Sequence, residues 1–110
     1  MISVQIKYDG DRIHEIMASG HANLAPHGQD IVCAAVSAIL QHTQLALHEF
    51  AIDSHSVTIN NGQMTLRFAK IGLARGADIA QILGKSAHNS IKILAKQYPK
   101  NIVVKVKKEK

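Results

Sequence analysis

Apolar and polar residues alternate from the second position of the chain. Ile2, Val4 and Ile6 fall on one side of an extended backbone and Ser3, Gln5 and Lys7 on the other, the pattern of a half-buried strand. Asp9-Gly10 then predicts a two-residue hairpin turn, because both central positions tolerate positive φ. A second strand over 12–19 should return antiparallel. Its alternation is poorer, with Ile13 and Met17 on one side and Ile16 and Ala18 on the other, so both of its faces are expected to be partly covered. From Ile31 the period lengthens. Val32, Val36, Ile39, Leu40, Leu47 and Phe50 recur at near-helical spacing and predict a helix over 31–50, in which Ala34, Ala35 and Ala38 allow close packing.

Alternation resumes at Val57-Thr58-Ile59 and Met64–Phe68, around Asn60-Asn61-Gly62, which predicts a second hairpin. Residues 70–76 contain two glycines and read as a connection. A second helix follows over 77–98, with Ile79, Ile82, Leu83, Ile91, Leu94 and Tyr98 as its apolar stripe and Pro99 as its stop. Gly84 inside it costs about 1 kcal/mol relative to alanine and marks a close approach. Ile102–Val106 is a last strand, placed in the middle of the sheet by its apolar start. The order β-β-α-β-β-α-β predicts an α+β sandwich, a mostly antiparallel sheet packed with two helices. Strand order is not contained in the pattern.

Composition narrows this picture. The 110 residues make one domain, 1–110, and a hydrophobic content of 46% is enough for it to fold. With no Trp, two Phe and two Tyr, the core must be aliphatic. One cysteine excludes an internal disulfide and fits a reducing cytosol, so a cytoplasmic location is expected. The start of the chain lacks a long apolar block and reads as neither a signal peptide nor a membrane span. The formal charge is +5, partly from Lys105, Lys107, Lys108 and Lys110, which read as a solvated tail. No repeat, phosphate-binding glycine loop or Cys/His cluster is present, so no cofactor is expected. His14, His21 and His27 match no zinc-ligand spacing, and His42 and His48 stand too far apart on a helix to share a metal.

The candidate chemistry lies between the first two elements. Gly20, without a Cβ, lets the chain bend at the end of the second strand, and His21 follows at the sheet edge. Asn23-Leu24-Ala25-Pro26-His27-Gly28 reads as a loop. Asp30 is then a good N-cap, which puts Cys33 in the first helical turn, where the helix dipole favours thiolate. Half-ionising a thiol of pKa about 8.5 at neutral pH takes about 2 kcal/mol, whereas a helix start supplies about 0.3–1 kcal/mol. A protonated His21 beside Cys33 would supply the remainder and then protonate a leaving amine. Amides around Val32 and Cys33 are candidate oxyanion donors. Plainer readings exist for each residue. Cys33 suits a core helix, His21 a strand end, and Asp30 can cap the helix or orient His21; Ser37, one turn beyond Cys33, can line the site or pack the helix.

The string Gly20-His21-Ala22, followed by Gly28-Gln29-Asp30-Ile31-Val32-Cys33-Ala34-Ala35-Val36-Ser37, resembles the bacterial ribosomal-processing cysteine proteases, the Prp family. The likeness extends over the rest of the chain, with its hairpin, second helix and last strand. It implies a cysteine endopeptidase that removes the N-terminal extension of a large-subunit ribosomal protein before or during ribosome assembly. By the same likeness Cys33 is the nucleophile and His21 the general base. Asp30 and Ser37 match further motif positions, and Gly20 matches a glycine that lets the loop move. The family's loop often carries aromatic residues, whereas Leu24, Pro26 and His27 stand here, a departure that bears on peptide recognition.

Ala22, Asn23, Leu24, Pro26, His27 and Gly28 are the expected substrate-binding loop. The stretch 22–29 should be mobile when empty and close on peptide. The implied substrate segment contains aromatic residues and needs an apolar groove, with Leu24 as a candidate wall. A homodimer is also implied by the resemblance, although core packing accounts equally well for the small residues of the first helix. Two other classes compete. One is a non-enzymatic ribosome-associated or RNA-binding domain, against which the scattered basic residues and scarce aromatics count. The other is a thiol redox or acyl-transfer protein, and the redox version lacks a resolving cysteine.

Overall fold

In the computed structural model the residues described are 1–20, 27–52, 54–60, 62–69 and 76–109, with 27–30 described by their backbone. The expected elements form in the expected order: β1 (Ile2–Asp9), β2 (Arg12–Ser19), α1 (His27–Phe50), β3 (His55–Asn60), β4 (Gln63–Phe68), α2 (Ala77–Gln97) and β5 (Ile102–Glu109). The strands make one mixed sheet in the order β3-β4-β2-β1-β5. Pairing is antiparallel except between β1 and β5, where Ile2 lies beside Ile102 and Asp9 beside Glu109. The fold is α+β, as the pattern predicts.

The core lies between one sheet face and the two helices. Ile2, Val4 and Ile6 of β1 meet Ile16 and Ala18 of β2, Met64, Leu66 and Phe68 of β4, and Val32, Val36, Leu40 and Leu47 of α1. The opposite sheet face is polar. There Glu15, only 6% exposed, is held between Lys7 Nζ at 3.5 Å and Arg67 Nε at 3.0 Å. By length and composition Ile31–Phe50 could cross a membrane, but its apolar stripe is buried in this core.

The uneven alternation of β2 has a geometric cause. The register against β1 shifts between Lys7 and Tyr8, so that Glu15 opposes Lys7 while Ile13 opposes Tyr8. His14 is the extra residue, and a bulge of one residue reverses the facing of everything beyond it. Ile13 thereby joins Ile16 and Ala18 on the core side, and Met17 stays on the other. The core-forming side chains thus share one face, and the other face is partly covered as expected, with Glu15 buried and Met17 half-buried.

Other expectations are corrected. The first hairpin turns on Gly10-Asp11, with Asp9 opposite Arg12 and Gly10 at φ +62°, one residue later than Asp9-Gly10. On α2 the buried face is Ala77, Ala80, Gln81, Gly84, Ala87 and Ile91, while Ile79 and Ile82 are exposed. A Cβ on Gly84 would lie 2.8 Å from Ile13 Cγ2 and 3.0 Å from Phe68 Cζ. The helix therefore sits too near the sheet for any side chain at position 84, and small residues, Ala80 and Ala87, flank it on the buried face. Phe50, expected in the stripe of α1, is 60% exposed. β5 is an edge strand rather than a central one.

Gln81 closes the sheet where β4 ends. Beyond Glu15 opposite Arg67, β2 has no strand partner on that side among the described residues. The N–H of Ile13 donates to Gln81 Oε1 at 2.7 Å, and Gln81 Nε2 donates to the Ile13 carbonyl at 2.9 Å. At the same end of the sheet, Tyr8 Oη and His88 Nδ1 are 2.7 Å apart. Burial first, then the charges of Lys92 and Lys108, lower the pKa of His88, which favours the neutral ring in its hydrogen bond with the Tyr8 hydroxyl.

Gln81→Leu should cost about 2–4 kcal/mol in urea unfolding, because it strands two buried backbone groups. His88 binds a proton more readily in the unfolded chain than in the folded one. Stability should therefore fall as pH drops below about 6.5 toward the lowered folded value. In His88→Asn that part of the pH slope should vanish in unfolding curves recorded across this window.

Candidate active site

Cys33 is carried by α1, whose start differs from the sequence expectation. The helix begins at His27, so Asp30 is not its N-cap and Cys33 is the seventh helical residue, in the second turn. Pro26 immediately precedes His27 in the sequence, and proline is favoured at a helix start because its fixed φ suits the first turn. Two consequences follow. The dipole effect fades beyond the first turn, and Cys33 lies past it. The amides of Val32 and Cys33 lie inside the helical hydrogen-bond ladder, and the ones that precede it belong to residues 27–29.

The rotation of α1 decides how Cys33 is presented. At about 100° per residue, Val32, Val36, Leu40 and Leu47 form a buried stripe, and Cys33 stands about 60° from its centre. It is half-buried and packs against the core while its outer side faces away from it. Asp30 and Ser37 occupy positions three before and four after Cys33 on the same side of the helix. Ser37 is half-buried and borders a surface groove.

Gly20 ends β2 directly before the segment that contains His21. Its φ is +94°, and a Cβ there would collide with the carbonyl oxygen of Met1. This backbone conformation at position 20 requires glycine. The expected histidine His21 and the loop residues Ala22, Asn23, Leu24 and Pro26 lie outside the described residues. His27 and Gly28, expected in the loop, belong instead to the first turn of α1.

Past Ser37, the same side of α1 opens onto a groove of about 380 Å³ against the tip of the β3–β4 hairpin. Its floor is Leu40 and Met64, and its rims are Leu45 and Ile59, each 69% exposed. Sequence reasoning did not single these residues out. The available signals were that Leu45 is a large apolar residue off the predicted stripe of α1 and that Ile59, an apolar position of the predicted hairpin, stands next to its turn.

With this geometry in view, comparisons with known proteins give a consistent result. The sequence profile of the family described as cysteine protease Prp matches residues 1–103. A 27-residue segment is 67% identical to the ribosomal processing cysteine protease Prp of Mycoplasma pneumoniae, covering 24% of this chain and 27% of that one. The match thus spans about a quarter of that curated relative. Two crystal structures of the essential ribosomal processing protease Prp from S. aureus share the fold. One, in complex with a substrate peptide, aligns with a TM-score of 0.85 at 24% identity over 97% of this chain and 100% of the other. The second, in complex with a covalently linked product peptide, aligns with a TM-score of 0.82 at 24% identity over the same shares. The chain belongs to the cysteine protease Prp family.

Proposed function

We propose that this chain is a cysteine endopeptidase that removes the N-terminal extension of a large-subunit ribosomal protein during ribosome assembly. What carries the reading is the family match across residues 1–103, which includes the chain's single cysteine, half-buried on the shoulder of α1. The S. aureus relative crystallised with a substrate peptide and with a covalently linked product peptide supports covalent catalysis on a peptide.

In this mechanism His21 takes the proton of Cys33, and the sulfur attacks the scissile carbonyl carbon. The resulting oxyanion is met by amides of the first turn of α1, residues 27–29, in place of those of Val32 and Cys33. The C–N bond breaks as His21 protonates the leaving amine, which leaves a thioester on Cys33. Water, deprotonated by His21, then hydrolyses the thioester and restores the thiol. Since Asp30 is not the helix cap, its proposed part is to orient the His21 imidazole. Ser37 borders the site on the same helix side. Residues 22–26, with His27 and Gly28 at the head of the helix, form the wall against which the peptide lies. The enzyme acts in the cytoplasm as a homodimer, without metal or cofactor.

Cys33→Ala should abolish cleavage of the extended ribosomal protein with an unchanged circular dichroism spectrum, and retained turnover would remove Cys33 as nucleophile. His21→Ala should lower kcat/KM by about 10²–10⁴-fold. A rate unchanged at neutral pH would exclude it as the base. Gly20→Ala, forced into positive φ against Met1, should lose about 1–3 kcal/mol in denaturant unfolding. It should also displace His21, seen as a fall in kcat.

A further inference from the structure

Resting on the reading of Cys33 as nucleophile, we propose that the groove between α1 and the β3–β4 tip is a substrate subsite. It would hold an uncharged, apolar stretch of the peptide three to five residues from the scissile bond. Leu40 and Gln44 stand within about 20° of Cys33 around the helix axis, at about 10 Å and 16 Å further along it. An extended peptide advances about 3.3 Å per residue, so a chain laid along α1 from the sulfur reaches the groove after three to five residues.

The lining suits such a segment. Leu40 and Met64, 1% and 8% exposed, give an apolar floor, while Leu45 and Ile59 stand at the rims, where a ligand would cover them. Two large aliphatic side chains at 69% exposure flanking one groove are costly in water, and an apolar occupant offsets that cost. No acidic or basic side chain lines the groove among the described residues, so nothing there compensates a charged occupant. Gln41 and Gln44 supply side-chain amides able to pair with a peptide backbone. The amide of Gln63 does not serve in this way, because it donates to Met17 Sδ at 2.9 Å on the other sheet face. The volume, about 380 Å³, lies within the range of roughly 300–1,000 Å³ that ligand pockets span.

The test uses synthetic peptides spanning the cleavage junction of the cognate ribosomal precursor, with the wild-type chain and with Leu45→Glu and Ile59→Glu. Both rim residues are exposed, so the variants should fold. KM should rise about tenfold to a hundredfold. The expected change in kcat is within about twofold, with Cys33 alkylation by iodoacetamide unchanged. An aspartate placed three to five residues from the junction should impair the wild type similarly and add little to the loss in the variants. Unchanged KM, or fully additive losses, would overturn the proposal. So would a KM rise accompanied by dissociation of a dimer in sedimentation, which would assign the groove to a contact between copies. Cleavage surviving Cys33→Ala would instead remove the nucleophile while leaving the KM comparison readable.

Discussion

Four aliphatic side chains fix the rotation of α1 about its own axis, and the placement of the candidate chemistry follows from that rotation. Val32, Val36, Leu40 and Leu47 are each no more than 1% exposed. Burying a side chain of this kind contributes about 1.5–3 kcal/mol, so turning the helix by about 60° to bury Cys33 fully would forfeit much of the stripe. Turning it the other way would expose Leu40. The sulfur is therefore kept on the shoulder, where one side rests on the core and the other can be approached. The close seating of α2 on the sheet, through Gly84 against Ile13 and Phe68, completes the same core from the second helix.

That constraint also sets the electrostatic problem. A cysteine in the first turn would draw on the helix dipole and on free amides. Cys33 lies in the second turn, past both. In the proposed mechanism the thiol proton is taken by the imidazole of His21. The geometry of Gly20 belongs to this problem as well. Its positive φ and the nearby Met1 carbonyl leave room only for glycine at the position immediately before His21 in the sequence. The one perturbed histidine among the described residues, His88, lies by the β1–β2 turn, at the other end of β1 from Gly20. Its lowered pKa belongs to the packing of α2 against β1 and not to this chemistry.

Much of the fold was legible in the sequence because it rests on period. The strands of β1 and β4, both helices and the hairpin at Asn61-Gly62 are simple alternations or helical repeats with clear punctuation. What was not legible depended on distance or on a register shift. The bulge at His14 reverses one end of β2, and nothing in the spelling of Ile13-His14-Glu15-Ile16 announces it. The buried face of α2 was misread in part: Ile91 is buried and Leu83 and Leu94 pack against the core as expected, but Ile79 and Ile82 are exposed, and the close approach at Gly84 leaves the start of the face to Ala77, Ala80, Gln81 and Ala87. Gly84 was the clue, and its close approach was read correctly without being carried to its neighbours. β5 carried its own signal: Lys105 and Lys107 alternate along it, and charged side chains are a common protection for a sheet edge. As for the site, reading Asp30 as a cap placed the start of α1 four residues late, so that Asp30 is not the cap and the amides of Val32 and Cys33 are inside the ladder.

The groove and the sulfur illustrate how one helix can separate chemistry from selection. The shoulder position of Cys33 offers little room for discriminating contacts, since its inner side is already committed to the core. Discrimination must then come from binding away from the reacting bond, and remote binding contributes to rate only if the peptide is held in register with the sulfur. A rigid α-helix provides that register, because the distance from Cys33 to Leu40 and Gln44 is fixed by the helix itself rather than by a loop. The aliphatic composition of the chain fits this division. With two Phe and two Tyr in all, the protein has few aromatic surfaces on which to stack a substrate. Leucine, isoleucine and methionine side chains at the groove make a softer apolar surface, which selects for burial of an apolar segment more than for one exact shape.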